Sequence, residues 1–524
     1  MRGAALSYRT SRVGSHAMSE KFDVIVVGSG IGGLTAALTA ARAGRSVLLL
    51  EAGKQFGGYT NPFRRRRFRF EPGLHYIGEC GPGQSFHRLL ERLEIIDRIK
   101  FRELTPEGFD RFVFPDYEVT MPKGADRFRD ILARDFPKEV RGIDRFFADL
   151  EQIMLGLRRL QKLNGPLSAL KLAPHVPVLL RNLRAPFSDM LDRYFTDPTL
   201  KAVLAAQGGD IGLPPSKASA LISLGVLDHY LRGAYYPVGG GGAIRDAFIE
   251  GLKESGATLK RNRKVERIEL SGRAVHAVCC TNGERYEADA VISNVDAATT
   301  YLDMIGEENL PGSLRRKSSK VRPSVASICL FIGTDLDTAA AGMTDANIWH
   351  YSTTDIDAAY APIWEGKLVD DPFFFLSSPS LKDPETREAE IPEHHTLEFV
   401  TLCPPEPFAA WGESKTMRRG DEYGQFKDEL QARYLAYVDQ YVPGIADHLV
   451  TCDVSTPLTN ISYTDSPDGS IYGPEQTADQ IGPWRFATKG KVPGLYLCGA
   501  STLGAGIVPC AISGHMAGRQ ALKA

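Results

Sequence analysis

One stretch limits the fold more than any other: FDVIVVGSGIGGLTAALTAARAGRSVLLLEAG, residues 22–53. It reads as a buried strand over 22–27, a glycine turn, a helix closing at Gly44 and a second strand over 46–50 that ends in Glu51. Two strands joined by a helical crossover open a parallel sheet, so the expected fold class is α/β. Gly28 permits the tight turn, Gly30 lets backbone amides approach a pyrophosphate at the helix N-terminus, and Gly33 lets helix and strand pack closely. Ser29, Ile31 and Gly32 complete the turn. Glu51, eighteen residues beyond Gly33, is placed to accept hydrogen bonds from ribose hydroxyls. The bland alternative is a glycine-rich helix start without a ligand; strand, glycines, helix, second strand and acid in register favour a dinucleotide.

With 524 residues the chain is long enough for more than one core. Its 62 Lys and Arg against 64 Asp and Glu leave no basic field for nucleic acid, so the run Arg64, Arg65, Arg66, Arg67 is read locally. The eight cysteines show no C-x-x-C pair and read as reduced, packed thiols of a cytoplasmic-type compartment, with no metal site expected. No run approaches the roughly 18 apolar residues of a transmembrane helix. The first seventeen residues lack acids and the apolar core of a secretory signal; they read as a tail ahead of Met18 or a transit-peptide fragment.

After Glu51 comes AGKQFGGYT, with the double glycine Gly57 and Gly58. Here the sequence resembles the flavoprotein superfamily of amine oxidases and phytoene desaturases, in which an acid and a double glycine at this spacing imply FAD and make NAD the lesser choice. The resemblance adds Ala52, Tyr59 and Thr60 to the cofactor residues, and Tyr59, standing where amine oxidases carry arginine, suits the desaturase branch. GLYLCGASTLGAGIVPCAISGHMAGRQA, residues 494–521, resembles the C-terminal signature of phytoene desaturases and carotenoid isomerases. It implies that Gly499, Ala500, Gly504, Gly506 and Ile507 stand beside the flavin. A helix N-terminus there would stabilise negative charge on the reduced ring. YYPVGGGGAIRDAFIEGLKESGATLKRNRKVERIEL resembles the central return to the same domain, where Lys264 and Val265 present backbone to adenine. Read alone, the two segments are a docking helix and a flexible turn.

FRFEPGLHYIGE, residues 68–79, resembles the retinol saturases, although Arg67 replaces an expected glycine and Glu71 an expected aspartate. RPSVASICLFIG, NIWHYSTTDID, PFFFLSSPSLKDP and TPLTNISYTDSPDGSIYG extend the likeness in order, leaving it thin over 135–230. In a strand Phe68 and Phe70 face one way and Arg67 and Arg69 the other. The arginines therefore read as the exposed side and turn of a hairpin whose far end enters the flavin site. Hydride transfer to carbon needs a proton donor or acceptor, and His75, Tyr76 and Glu79 are the catalytic candidates. Their bland reading is a packed aromatic pair and a hairpin acid.

In the thin region, Ile143, Phe146, Leu150, Met154 and Leu157 recur at helical spacing, and no acid occurs from Gln152 through Ser188. Arg158, Arg159, Lys162, Lys171, Arg181 and Arg184 stand there among apolar residues. Such a surface suits anionic headgroups and uptake of a lipid-soluble substrate; the alternative is an apolar stripe packed on the core.

The expected architecture is a discontinuous Rossmann-type FAD-binding domain (20–80, 230–310 and 485–524), a mixed-sheet substrate domain (81–135 and 311–484) and a helical membrane-facing subdomain (136–229). The resemblance implies noncovalent FAD and a retinol-saturase-like reductase acting on an apolar polyene of retinoid or carotenoid type, while the basic, apolar middle and the reduced cysteines suggest peripheral membrane association in the cytoplasm. Desaturation, cis-trans isomerisation and action on unsaturated fatty acids are alternatives. No second strand-G-x-G-x-x-G-helix unit is present, so electrons would be exchanged with a quinone, oxygen or a separate reductase. Two other classes stay in view. Rab GDP-dissociation inhibitors share this architecture as lipid-binding modules without flavin chemistry, and amine oxidation would yield peroxide.

Overall fold

The computed structural model describes residues 20–161 and 166–523. The tail through Met18 and Lys162 lie outside the described residues. In the first of two seven-stranded sheets, Glu20–Val27 runs between Val47–Leu50 and Arg285–Ser293, parallel to both. Thr258–Lys260 adds a parallel edge, Leu495–Leu497 pairs in parallel with Arg285–Ser293, and Ala274–Cys280 and Val265–Ser271 extend the sheet antiparallel. Val24, Ile25, Val26 and Val27 are all buried, which is why this strand is a continuous apolar run and not an alternating one. Helix Ile31–Arg42 packs against the last helix, Ile507–Ala521, through glycines. A Cβ on Gly514 would lie 2.1 Å from the Gly32 carbonyl oxygen, and one on Gly518 2.8 Å from that of Ala36.

The second sheet runs in the order Leu449–Ser455, Ala326–Thr334, His395–Cys403, Phe374–Ser377, Asn347–His350, Asp110–Phe114, Tyr117–Met121. It is mixed, since Asn347–His350 and Asp110–Phe114 are parallel while the other pairs are antiparallel. Period-two alternation divides its faces. Ile328, Leu330 and Ile332 pack with Tyr434 and Val438 of helix Asp421–Asp439, while Ser327, Cys329 and Phe331 border an internal cavity.

Phe63–Arg65 and Phe68–Phe70 form the expected antiparallel hairpin, with Arg66 left-handed at its turn. Phe68 and Phe70 are fully buried against Phe331, each burial stabilising by roughly 1.5–3 kcal/mol. Arg64, Arg66 and Arg67 are exposed as expected, but arginines of this hairpin are also tethered. Arg64 and Arg69 reach Glu390 at 3.0 and 3.2 Å, Arg65 pairs with Asp453, and Arg66 donates to the Val450 carbonyl at 2.7 Å. They clip the hairpin to the second sheet, because the acids that meet them come from segments distant in sequence.

Residues 136–229 are helical, led by Val140–Gln161 and closed by Ala220–Leu231. The stripe Ile143, Phe146, Leu150 and Met154 is buried, so it packs on the core and does not face a bilayer. Several neighbouring cations are also engaged: Arg158 pairs with Asp228 at 2.9 Å, Arg159 donates to the Lys171 carbonyl at 2.6 Å, and Arg184 covers the Trp484 ring at 4.6 Å. What remains outward is a set of leucines, with Leu160, Leu170 and Leu180 exposed by 49%, 71% and 65%. Among the described residues no helix is long and apolar enough to cross a membrane. All eight cysteines are free thiols, most of them buried.

Candidate active site

The dinucleotide cradle is assembled from backbone. Gly28, at φ +88°, donates to the Leu50 carbonyl at 2.8 Å, and Gly30 starts the first helix. No acid occupies that helix's first turn, leaving its positive end open to an anion. Gly33 does not border the cavity; a Cβ there would lie 2.0 Å from the Gly28 carbonyl oxygen, so it serves helix–strand packing as expected. Every other cofactor residue read from the sequence borders the cavity. Glu51 accepts from the Ser29 amide at 3.0 Å, from the Ser29 hydroxyl, and from the Gly53 amide at 2.6 Å. A carboxylate has about four acceptor sites, so capacity remains for ribose hydroxyls. Gly58 closes over the turn, its Cβ position 3.2 Å from the Gly30 Cα.

Asn294 is a cradle residue that the sequence reading missed. Its amide donates to the Val27 carbonyl at 2.8 Å, and its side chain fills the space where a Cβ on Gly30, Gly32 or Gly499 would stand, at 2.8, 2.5 and 2.6 Å. It ties the first turn to the C-terminal turn. The signal was the NVDAATT segment following an apolar strand.

From the cradle the cavity continues into a chamber bordered by Trp349, Phe375, Val400, Leu402, Tyr230 and Tyr472. The whole space measures about 3030 Å³. Single-ligand pockets run to roughly 1,000 Å³, so there is room for a dinucleotide and a long second molecule together. His75, Tyr76 and Glu79 all border it. His75 Nδ1 lies 2.8 Å from Glu398 Oε2, and its ring centroid 5.2 Å from that of Phe375. Tyr76 stacks on Tyr230 at 4.2 Å and donates toward Asp110 at 3.0 Å and Asp210 at 3.4 Å. Glu79 is occupied locally, accepting from the Ser85 amide at 2.9 Å and standing 3.4 Å from Arg232.

Behind these residues lies a buried polar network absent from the sequence reading. Lys382, fully buried, donates to the His75 carbonyl at 2.7 Å, to Ser377 at 2.6 Å and to Asn347. Burial lowers it to about 8. Asp110 accepts from Asn347 at 2.7 Å and Gln207 at 2.8 Å. Glu398 accepts from the Glu71 amide at 3.0 Å, and Glu71 from the Gly241 amide at 3.0 Å. Burial pushes Glu71 up to about 8. This explains the four glycines: a Cβ on Gly240 would lie 2.0 Å from Glu71 Oε1. Glu398 stands as a lone charge inside the apolar run TLEFVTLC. That is a signal, but it does not say which charges meet.

A sequence profile described as flavin containing amine oxidoreductase matches residues 31–360, more than half of the chain. The chain belongs to that family. Membership in the flavin containing amine oxidoreductases implies a flavin cofactor, FAD in this family, and the cradle's shape fits it. The chain is 28% identical to an all-trans-retinol 13,14-reductase of Danio rerio over 95% of this chain and 85% of that one. It is 27% identical to prolycopene isomerase 1 of an Oncidium hybrid cultivar, over 98% and 86%. In fold it superposes on an oxidoreductase from Methanosarcina mazei with a TM-score of 0.65 and 15% identity, covering 95% of this chain and all of that one.

Proposed function

We propose that this flavin containing amine oxidoreductase acts on carbon–carbon double bonds of an apolar polyene, retinoid or carotenoid-like, as a saturase similar to the retinol 13,14-reductases. The observation that carries the reading is continuity: cradle and aromatic chamber are one cavity, so a long apolar chain can lie against whatever ring the cradle holds. Bound FAD supplies hydride exchange. The chain supplies the rest. Glycine amides at the first helix receive the pyrophosphate, Glu51 the ribose, and Val265 backbone the adenine. Gly506, leading the last helix, turns positive helix charge toward the flavin ring. Attachment is noncovalent on this reading: burial pushes Cys329 and Cys510, the cysteines bordering the cavity among the described residues, up to about 12, which keeps both as thiols. His75, aligned by Glu398, is the candidate to hold or move a proton beside the substrate.

On the same reading, segments 20–80, 230–310 and 485–524 form the cofactor domain, and 81–135 with 311–484 the substrate domain. Residues 136–229 meet a membrane peripherally on its cytoplasmic side. Leu157 and Leu160 border the cavity while Leu160, Leu170 and Leu180 are exposed, giving the chamber an apolar rim for a lipid-soluble substrate. A quinone, oxygen or a separate reductase exchanges the electrons.

Isomerisation is the second reading, favoured by the relative named as a prolycopene isomerase. Anaerobic incubation of chemically reduced protein with retinol, carotenes and unsaturated fatty acids, followed by chromatography, separates the cases. The expected product has lost one double bond. A product of unchanged mass and altered geometry establishes the second reading, peroxide from amines would establish amine oxidation, and protein that takes up no FAD would be a lipid-binding module.

A further inference from the structure

Two carboxyl groups, one bordering the chamber and one behind its wall, face a single hydroxyl and have no part in the chemistry so far. Tyr76 stands 3.0 Å from Asp110 Oδ2 and 3.4 Å from Asp210 Oδ2. The two acids are not equivalent. Asp110 is fully buried, away from the cavity, and takes hydrogen bonds from Asn347, Gln207 and Tyr76, with Lys382 near it. Burial raises Asp110 to about 6, but these donors favour its carboxylate, so it ionises before Asp210. Asp210, in the turn Ala206–Asp210, is mostly enclosed but borders the cavity. Among the described residues it has no ion pair; Tyr76 and Tyr230 donate to it, and Tyr351, Tyr360 and Tyr472 stand near it. Two carboxyls sharing one site do not both ionise readily, and the one with fewer donors keeps the proton. The Gly209 carbonyl accepts from Tyr472 at 2.8 Å, which fixes the turn that presents Asp210.

We propose that Asp210 is the acid that delivers the proton to the polyene, with Asp110, Tyr76 and Tyr230 as positioning residues that keep it protonated and aimed. The inference rests on the saturase reading. With FAD bound, one carbon of the double bond would receive hydride from the reduced flavin, and the other would receive the proton of Asp210. The π bond, the flavin N–H bond that yields the hydride and the carboxyl O–H bond would break, two C–H bonds would form, the flavin would be left oxidised, and Asp210 would be left as a carboxylate that water reprotonates. Burial, then the charge of Asp110, pushes Asp210 up to about 8, so it enters the step protonated at neutral pH. Tyr76 is pushed well above the ordinary phenol value and does not compete as donor.

Infrared difference spectra of flavin-loaded and flavin-free protein read the carboxyl directly. A protonated carboxyl band is expected at neutral pH that disappears as pH rises through about 8, is missing in Asp210→Asn, and titrates at lower pH in Asp110→Asn, where the neighbouring charge is gone. Asp210→Asn should keep its flavin absorbance and saturate polyene about 10²-fold more slowly. Solvent deuterium should enter one carbon of the wild-type product. An Asp210 band already ionised at neutral pH overturns the proposal whatever the substrate, and so does an unimpaired Asp210→Asn beside an active wild type. Wild-type protein that saturates no polyene instead ends the functional reading and the proposal with it. If Asp210→Asn does not fold, an unmoved band in Asp110→Asn overturns the pairing.

Discussion

The cradle and the chamber share one cavity and are specified in opposite ways. Gly28, Gly30, Gly32, Gly57, Gly58 and Gly499 build the cradle by lacking side chains, and Asn294 occupies the space left by Gly30, Gly32 and Gly499. The chamber is built by side chains that must find partners: His75 with Glu398, Lys382 with Asn347, Tyr76 with Asp110 and Asp210. A site made of backbone admits almost no substitution but asks little of the rest of the chain. A site made of side-chain networks depends on many segments, and each can be altered while the cofactor stays in place.

The largest effect tests the cradle. Gly30→Trp places atoms where even a Cβ meets Asn294 Nδ2 at 2.8 Å, and the purified protein should lack flavin absorbance altogether. Full occupancy in that variant would remove the pyrophosphate from this turn. A smaller effect tests the separation of the two regions. His75→Ala should slow polyene turnover about 10²-fold while flavin content stays at wild-type level. Loss of flavin from His75→Ala would merge chamber and cradle into one cooperative unit, and unchanged turnover would take His75 out of the chemistry. The smallest effect concerns the rim. Leu170→Ser with Leu180→Ser, both exposed, should weaken sedimentation with anionic liposomes several-fold, since shallow insertion recovers only a fraction of the roughly 1.5–3 kcal/mol that full burial of a leucine contributes. Equal sedimentation would leave these leucines as ordinary surface.

The same contrast governs what could be read in advance. Strand, turn, helix and acid around Gly28 to Glu51 are set by neighbours in sequence, so the first sheet was legible, as were the hairpin and the C-terminal helix. Two features needed the folded chain for one reason. The arginines at 64–67 read as hairpin surface and Arg64, Arg66 and Arg67 are exposed, but the pairing of Arg64 with Glu390 and of Arg65 with Asp453 joins remote segments. The stripe beginning at Ile143 could cover a core or lie on a bilayer, since helical periodicity does not name its partner, and only the folded chain shows it buried. Asp210 was passed over because a lone acid in AAQGGDIGLPP is silent until Asp110 and Tyr76 stand beside it.

The glycine contact between the first and last helices has a consequence for how the protein is made. Strand Leu495–Leu497 and helix Ile507–Ala521 are made long after Glu20–Val27, yet they finish the unit that this strand begins. During synthesis the earliest apolar strands must wait for their final partners, a long-range closure that is slow and exposes sticky surface to chaperones. The wait also makes flavin uptake a proofreading step. A chain stopped before Leu495 has half a cradle, so flavin on the purified protein reports chains that reach helix Ile507–Ala521.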